Sequence, residues 1–230
     1  SLWRTVQLIF WGILISAIVA ISIGVYGAVR QYSIADYTFT GLSFVGLSMP
    51  PFWFAFIAIQ FLVFTVTDWF NLDEPLFYFV GLQSVDDSSV LNYARHLFLP
   101  VATLTVQIIA SWSRYQRSSM LDAMSSDYIR TAKAKGVPRR KVIYKHGLRN
   151  ALIPLVSVAA IDIGLLFGGL IITERIFSIP GMGSMFLDAL GNGDTPVLLG
   201  WTLVVGTMVI LFNLLADLLY GVLDPRVRLQ

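Results

Sequence analysis

The sequence predicts an all-α protein, a polytopic membrane helix bundle with about five transmembrane helices. Three observations lead there. Five stretches are long and apolar enough to cross a hydrocarbon core, which takes about 20 residues of helix. Only 13% of the 230 residues are charged, half the share of about a quarter found in soluble domains. Ten of the sixteen Lys and Arg residues crowd between Arg114 and Arg149, one basic segment in a chain of mean hydropathy +0.73.

Thr5–Val29 is nearly uncharged and ends at Arg30. Gly41–Thr67 is rich in Phe and contains Pro50 and Pro51. Proline removes a backbone donor and clashes with the preceding turn, so a kink is expected there. His96–Arg114 is shorter and holds Pro100; Ala151–Thr173 holds Gly164, Gly168 and Gly169; Val197–Val222 runs on to Asp224, Pro225 and Arg226. Inside a bilayer every backbone polar group must be paired within its own segment, so these runs are helices. The ten-residue alternation of a membrane barrel is missing from the sequence.

Lys and Arg accumulate in cytoplasmic loops, which places the 114–149 segment inside. Alternation then puts Arg30–Thr40 and the C-terminal tail, with Arg226 and Arg228, inside as well. Two loops face outward, about 68–95 and 174–196; the first carries Asp68, Asp73, Glu74, Asp86 and Asp87. Five spans ending inside leave Ser1 outside. The chain opens without a basic start or a cleavage pattern for a signal peptide, so a preceding helix is expected.

The segment Ser125–Asn150 reads "SSDYIRTAKAKGVPRRKVIYKHGLRN". Ser125, Ser126 or Asp127 suits a helix start, where a side-chain oxygen accepts from free amides. Tyr128–Lys135 is made of good helix formers. Gly136 suits a left-handed close, and Pro138 the first turn of a second helix. Spacings of three and four put Tyr128, Ile129 and Ala132 on one face. Two readings stay open from the residues alone. One is an interfacial helix whose lysines reach anionic headgroups; the other is a docking helix that inserts its apolar face into a cytoplasmic partner.

"YIRTAKAKG" followed by "LRNALIP" resembles the cytoplasmic loop of permease subunits in binding-protein-dependent ABC importers, above all the dipeptide, oligopeptide and nickel branch. The general pattern is Glu-Ala-Ala, three residues, Gly, nine residues and Ile-x-Leu-Pro. Arg130, Thr131, Ala132 and Gly136 occupy the first part, with His146, Leu148 and Arg149 at the last positions. The Glu and Pro of that pattern are replaced, and the peptide branch has its own version with Arg-Thr-Ala and Leu-Arg-Asn. "SMPPFW", "ERIFSIPGMG" with Asp194 and Pro196, and "NLLADLLYGVLDPRVR" are similar to other parts of the same branch. The resemblance covers nearly the whole chain.

It implies a single transmembrane permease domain over 1–230, with a cytoplasmic coupling loop over about 115–150 and a sixth, N-terminal helix ahead of these five. Tyr128, Ile129, Arg130, Thr131, Ala132, Lys133, Ala134, Lys135 and Gly136 would then be the coupling helix. Glu174, Phe177, Pro180, Gly181, Gly183, Asp194 and Pro196 would form an outer gate and a surface for the binding protein. The implied partners are a second homologous permease, two cytoplasmic ATP-binding subunits, an extracytoplasmic substrate-binding protein, a peptide and membrane lipid, but no nucleic acid. ATP and Mg would be held by the ATP-binding subunits and no cofactor by this chain. The implied location is a bacterial or archaeal plasma membrane.

Asp162 stands inside the fourth span between Ile161 and Ile163. A carboxylate at that depth is costly and marks a functional site by default; the candidates are a pathway group that meets a substrate ammonium, a structural partner for a neighbouring helix, and a protonated, hydrogen-bonded acid. Asn213 and Asp217 are four apart on the last helix, as expected for a polar contact between helices. His96 and His146 lack ligand spacing, so no metal site is expected. The absence of cysteine excludes disulfides and thiolate chemistry. With no phosphate-cradling GxxxxGK[ST] and no nucleophile–base set, the chain is read as a non-catalytic subunit. Its transport would be driven by ATP, the alternatives being an ion-gradient transporter or import of nickel complexes within the same branch.

Overall fold

The computed structural model describes residues 1–84, 87 and 89–223, with only the backbone at 169 and 220–223. The tail cations Arg226 and Arg228, with Asp224 and Asp86, lie outside the described residues. Nine helices follow in order among those described: α1 Leu2–Val29, α2 Ile34–Ser48, α3 Pro51–Trp69, α4 Val90–Ser125, α5 Asp127–Ala134, α6 Arg139–Gly168, α7 Ile171–Ile176, α8 Met182–Asn192 and α9 Thr195–Leu223. Five of them (α1, α3, α4, α6 and α9) are long and apolar enough to cross a membrane.

The second passage is broken rather than kinked. Ser33 caps α2 by accepting from the Asp36 amide at 3.2 Å. Met49 and Pro50 are extended, and Pro51 opens α3. A residue before proline is pushed out of the helical region, and two prolines in succession turn a bend into a gap. The Gln107 amide bridges the gap by donating to the Met49 carbonyl at 3.0 Å. Helices α2 and α3 then climb beside α4 as one interrupted passage: Asp36 meets Arg117, Ser43 meets Ser113, and Ala55 and Val63 share a core with Leu97 and Leu99. Residues Ile59–Thr65 of α3 and Val142–Leu148 of α6 are π-helical.

Helices α1 and α4 form the centre. Leu8 and Ile9 meet Leu97, Leu99, Phe167 and Phe177 at the end that the distribution of Lys and Arg assigns to the outside, called the outer end. Ala20, Trp112 and Leu155 fill the middle, and Val25, Met120, Ile143 and Ala151 the inner end. Helix α9 lies on α6, where a Cβ at Gly164 would come within 3.3 Å of Val209 and Phe212; close approach is thus the use of this glycine. Helix α4 has 36 residues, a length of about 54 Å at 1.5 Å per residue. That exceeds a hydrocarbon core of about 30 Å, so the foot of α4 projects past the bundle and carries α5 at its tip.

Candidate coupling site and outer latch

At the inner end, α5 follows α4 after a single extended residue, Ser126. No side chain caps it; the Ser126 carbonyl takes the amides of Ile129 and Arg130. Asp127 in the first turn and Lys133 in the last match the helix dipole. Gly136 has φ +73°, the left-handed region where a Cβ is penalised. Its amide returns to the Lys133 carbonyl, and that of Val137 to the Ala132 carbonyl at 3.2 Å. The chain then re-enters α6 through Pro138.

The shared face read from the sequence divides in the structure. Ile129 is wholly buried and Ala132 nearly so, packed with Val142 and partly with Val137. This small core belongs to the chain itself and seats α5 on the foot of α6. Tyr128 is 42% exposed, and Arg130, Thr131, Lys133, Ala134, Lys135 and Gly136 all face outward. The surface offered to a partner is therefore polar and cationic around one tyrosine. The apolar face expected to enter a partner is occupied because α6 turns back beneath α5, a packing that helical spacing alone does not encode. Arg139, Arg140, Lys141, Lys145 and Arg149 are exposed along the stalk. Within it, a Cβ on Gly147 would come within 2.9 Å of Met120 of α4, so the two feet are tightly joined.

Midway, Asp162 accepts a 2.7 Å hydrogen bond from the Trp112 indole, a link between α6 and α4. One of the expected roles, a partner on a neighbouring helix, thus has a donor. Asn213 and Asp217 are exposed and make no hydrogen bond among the described residues. The interhelical contact expected of them is not formed among the described residues, and both side chains are exposed on α9.

At the outer end, Glu174 has no exposed surface. Its Oε1 accepts from the Thr5 hydroxyl at 2.6 Å, and its Oε2 from the amides of Gly183 and Ser184 at 2.7 and 3.0 Å. The Thr5 oxygen in turn accepts from the Met182 amide at 2.8 Å. The carboxylate therefore caps α8 from a distance, an anion at a helix N-terminus, and ties α8 to the first turn of α1. Burial pushes the Glu174 carboxyl above its ordinary range, opposed by the bonds from Thr5, Ser184 and Gly183. Gly181 and Gly183 are required by contact: a Cβ would fall 2.2 Å from the Glu174 carboxyl carbon in one case and 2.5 Å from the Ile171 Cα in the other.

Phe177 is buried, and its carbonyl takes the Gly81 amide at 2.8 Å, which fastens the first outward loop to this hairpin. That loop is held in turn by Arg95, which donates to the Leu76 carbonyl at 2.9 Å. Asp194 caps α9 through the Val197 amide at 3.2 Å. Of the seven outer residues singled out, Pro180, Asp194 and Pro196 are exposed, while Glu174, Phe177, Gly181 and Gly183 are buried.

The roles of four polar contributors were missed from sequence. Thr5 opens an apolar run and carries no motif. Asp36 and Arg117 form a bidentate pair at 2.7 and 2.8 Å across 81 residues, a distance no local pattern spans. Trp112 reads as an ordinary core aromatic.

A family model described as the inner membrane component of binding-protein-dependent transport systems matches residues 12–229. The dipeptide transport system permease protein DppB of Escherichia coli K12 is 41% identical over 238 residues, covering 97% of this chain and 70% of the relative. The oligopeptide transport system permease protein AppB of Bacillus subtilis is 37% identical over 226 residues, covering 98% and 69%. Among solved structures, the MetNI methionine ABC transporter in inward-facing conformations gives a TM-score of 0.72 at 17% identity, over 96% of this chain and 94% of that one. That likeness supports the fold.

Proposed function

The chain belongs to the family of inner membrane components of binding-protein-dependent transport systems, and from that premise we propose that it is the permease subunit of an ATP-driven importer of dipeptides and oligopeptides. The peptide substrate comes from the relatives, which are named as dipeptide and oligopeptide permeases. The observation that carries the coupling role is the outward face of α5. It is a short helix seated by Ile129 and Ala132 on its own stalk, with Tyr128, Arg130 and Lys133 exposed on the far side.

In this reading the chain forms half of a translocation pathway with a second, homologous permease. Two cytoplasmic ATP-binding subunits dock against residues 128–136, one on each permease, and hydrolyse ATP with Mg. The chain itself carries no reaction. Helix α5 is joined to α4 through one residue and to α6 through a short turn closed by Gly136. A rigid displacement of α5 therefore moves two membrane helices together, a rigid-body form of switching. At the other end an extracytoplasmic binding protein meets the exposed residues Pro180, Asp194 and Pro196, while buried Glu174, Gly181 and Gly183 hold the hairpin that presents them.

The test is charge reversal on the exposed face. Arg130→Glu with Lys133→Glu should abolish co-purification of the ATP-binding subunits while the permease keeps its helical content. Unchanged co-purification would sink the coupling assignment. Uptake of a labelled dipeptide by the assembled complex in vesicles, with ATP inside and the binding protein outside, tests the substrate class. ATP-dependent uptake of a nickel complex in place of peptide would move the chain within the branch.

A further inference from the structure

We propose that the groove between α2 and the inner half of α4 binds the headgroup of an anionic phospholipid, with Arg114 as its phosphate ligand. The groove encloses about 590 Å³ and is lined by Thr40, Phe44, Ser111, Arg114, Tyr115 and Ser118 among others. Two arginines reach it, and their circumstances differ. Arg117 is spent: its guanidinium grips Asp36 at 2.7 and 2.8 Å, and Asp36 is itself buried. Arg114 has no carboxylate within ion-pair distance among the described residues and lies over the Phe44 ring at 4.5 Å.

Depth identifies the ligand. The Asp36–Arg117 pair, beside the turn after α1, marks the inner edge of the bundle. Arg114 stands three residues further in, about 4.5 Å along the helix, within reach of the headgroup layer for a side chain that extends its charge toward water. The walls change along the same axis. Toward the cytoplasm they are Thr40, Arg117, Ser118 and Leu121, mostly polar; toward the membrane centre they are Phe44, Leu47 and Ser111, mostly apolar, continued by exposed Val45 and Phe52. A lipid has that polarity in that order. The guanidinium fork matches phosphate oxygens in pairs, and the adjoining hydroxyls supply further donors. A solute route would need polar walls along its length, and toward the membrane centre the groove has one hydroxyl, that of Ser111.

The assembled importer, purified in mild detergent and returned to vesicles of phosphatidylcholine with or without phosphatidylglycerol, provides the test. Native mass spectrometry should find phosphatidylglycerol retained on the wild type in preference to phosphatidylcholine. Arg114→Gln should lower that preference about fivefold, the value of one cation near an anionic surface. Arg114→Lys, which keeps the charge without the fork, should keep most of it. Equal retention by the wild type and R114Q overturns the proposal. So does R114Q raising the KM for dipeptide with lipid retention unchanged, which would assign the groove to the peptide's carboxylate. Should R114Q fail to assemble, the wild type decides alone: lipid bound without preference for phosphatidylglycerol contradicts the proposal.

Discussion

The two ends of this bundle use polar residues in opposite ways. At the outer end, the Glu174 carboxylate takes hydrogen bonds from a hydroxyl and two amides, and none of its surface reaches solvent. At the inner end, α5 and the stalk expose Arg130, Lys133, Lys135, Arg139, Arg140, Lys141 and Lys145, and the one ion pair of α5 among the described residues, Arg130 to Asp127, is solvent-exposed at 3.7 Å. Exposed pairs of that kind contribute about 0–1 kcal/mol. The buried latch at one end is satisfied by its own chain and acts by holding shape. The other end is left open, and its charges are informative about a partner rather than about the fold.

The strongest way to break this contrast is to place a charge under α5. Ile129→Asp puts an unpaired carboxylate in a site with no exposed surface, a cost of about 3–5 kcal/mol. Because that core is small and separate from the bundle, the damage should stay local. Limited proteolysis should open residues 127–138 and ATP-driven transport should be lost, while the helices still insert. Loss of membrane insertion would show that α5 is not an independent seat.

Next in size is Glu174→Ala, which strips the acceptor from buried Thr5, Gly183 and Ser184. The expected cost is about 2–4 kcal/mol, read as a lower melting temperature in detergent. Glu174→Gln keeps one acceptor oxygen and should cost less. An unchanged melting temperature in both would remove the latch from the account.

Most of the scaffold was legible because its signals are local. Apolar runs of about 20 residues locate the spans, and Gly136 takes the left-handed turn its position required. The latch was half legible: "ERIFSIPGMG" pointed to the right hairpin, yet Thr5 lies 169 residues from Glu174, and only tertiary packing brings them together. The inward turn of Ile129 and Ala132 was misread for the same reason. Spacing says which residues share a face, but not which neighbour covers it. The broken second passage at Met49–Pro50 exceeded the expected kink because both prolines act in one turn.

A smaller effect follows from pH. Burial raises the Glu174 carboxyl's proton affinity in the folded state above its unfolded value, so folding takes up protons there. The outer hairpin should be most stable below the ordinary carboxylate range and lose that increment as the pH climbs through the raised value. Hydrogen exchange at 174–194 should follow this slope, and Glu174→Gln, with nothing to titrate, should flatten it. A slope that survives in E174Q belongs to another group.

The smallest effect on stability is expected where the largest effect on binding lies. Arg130→Ala touches an exposed side chain and should move the melting temperature by the equivalent of less than about 0.5 kcal/mol, while it weakens capture of the ATP-binding subunits. A large stability loss would mean that Arg130 serves the fold.

Hydrogen exchange on the membrane-embedded permease, with and without its ATP-binding subunits, tests the contrast most directly. The account expects new protection over residues 128–136 and none over 174–194 when those subunits are added. Unchanged exchange at 128–136 would contradict it.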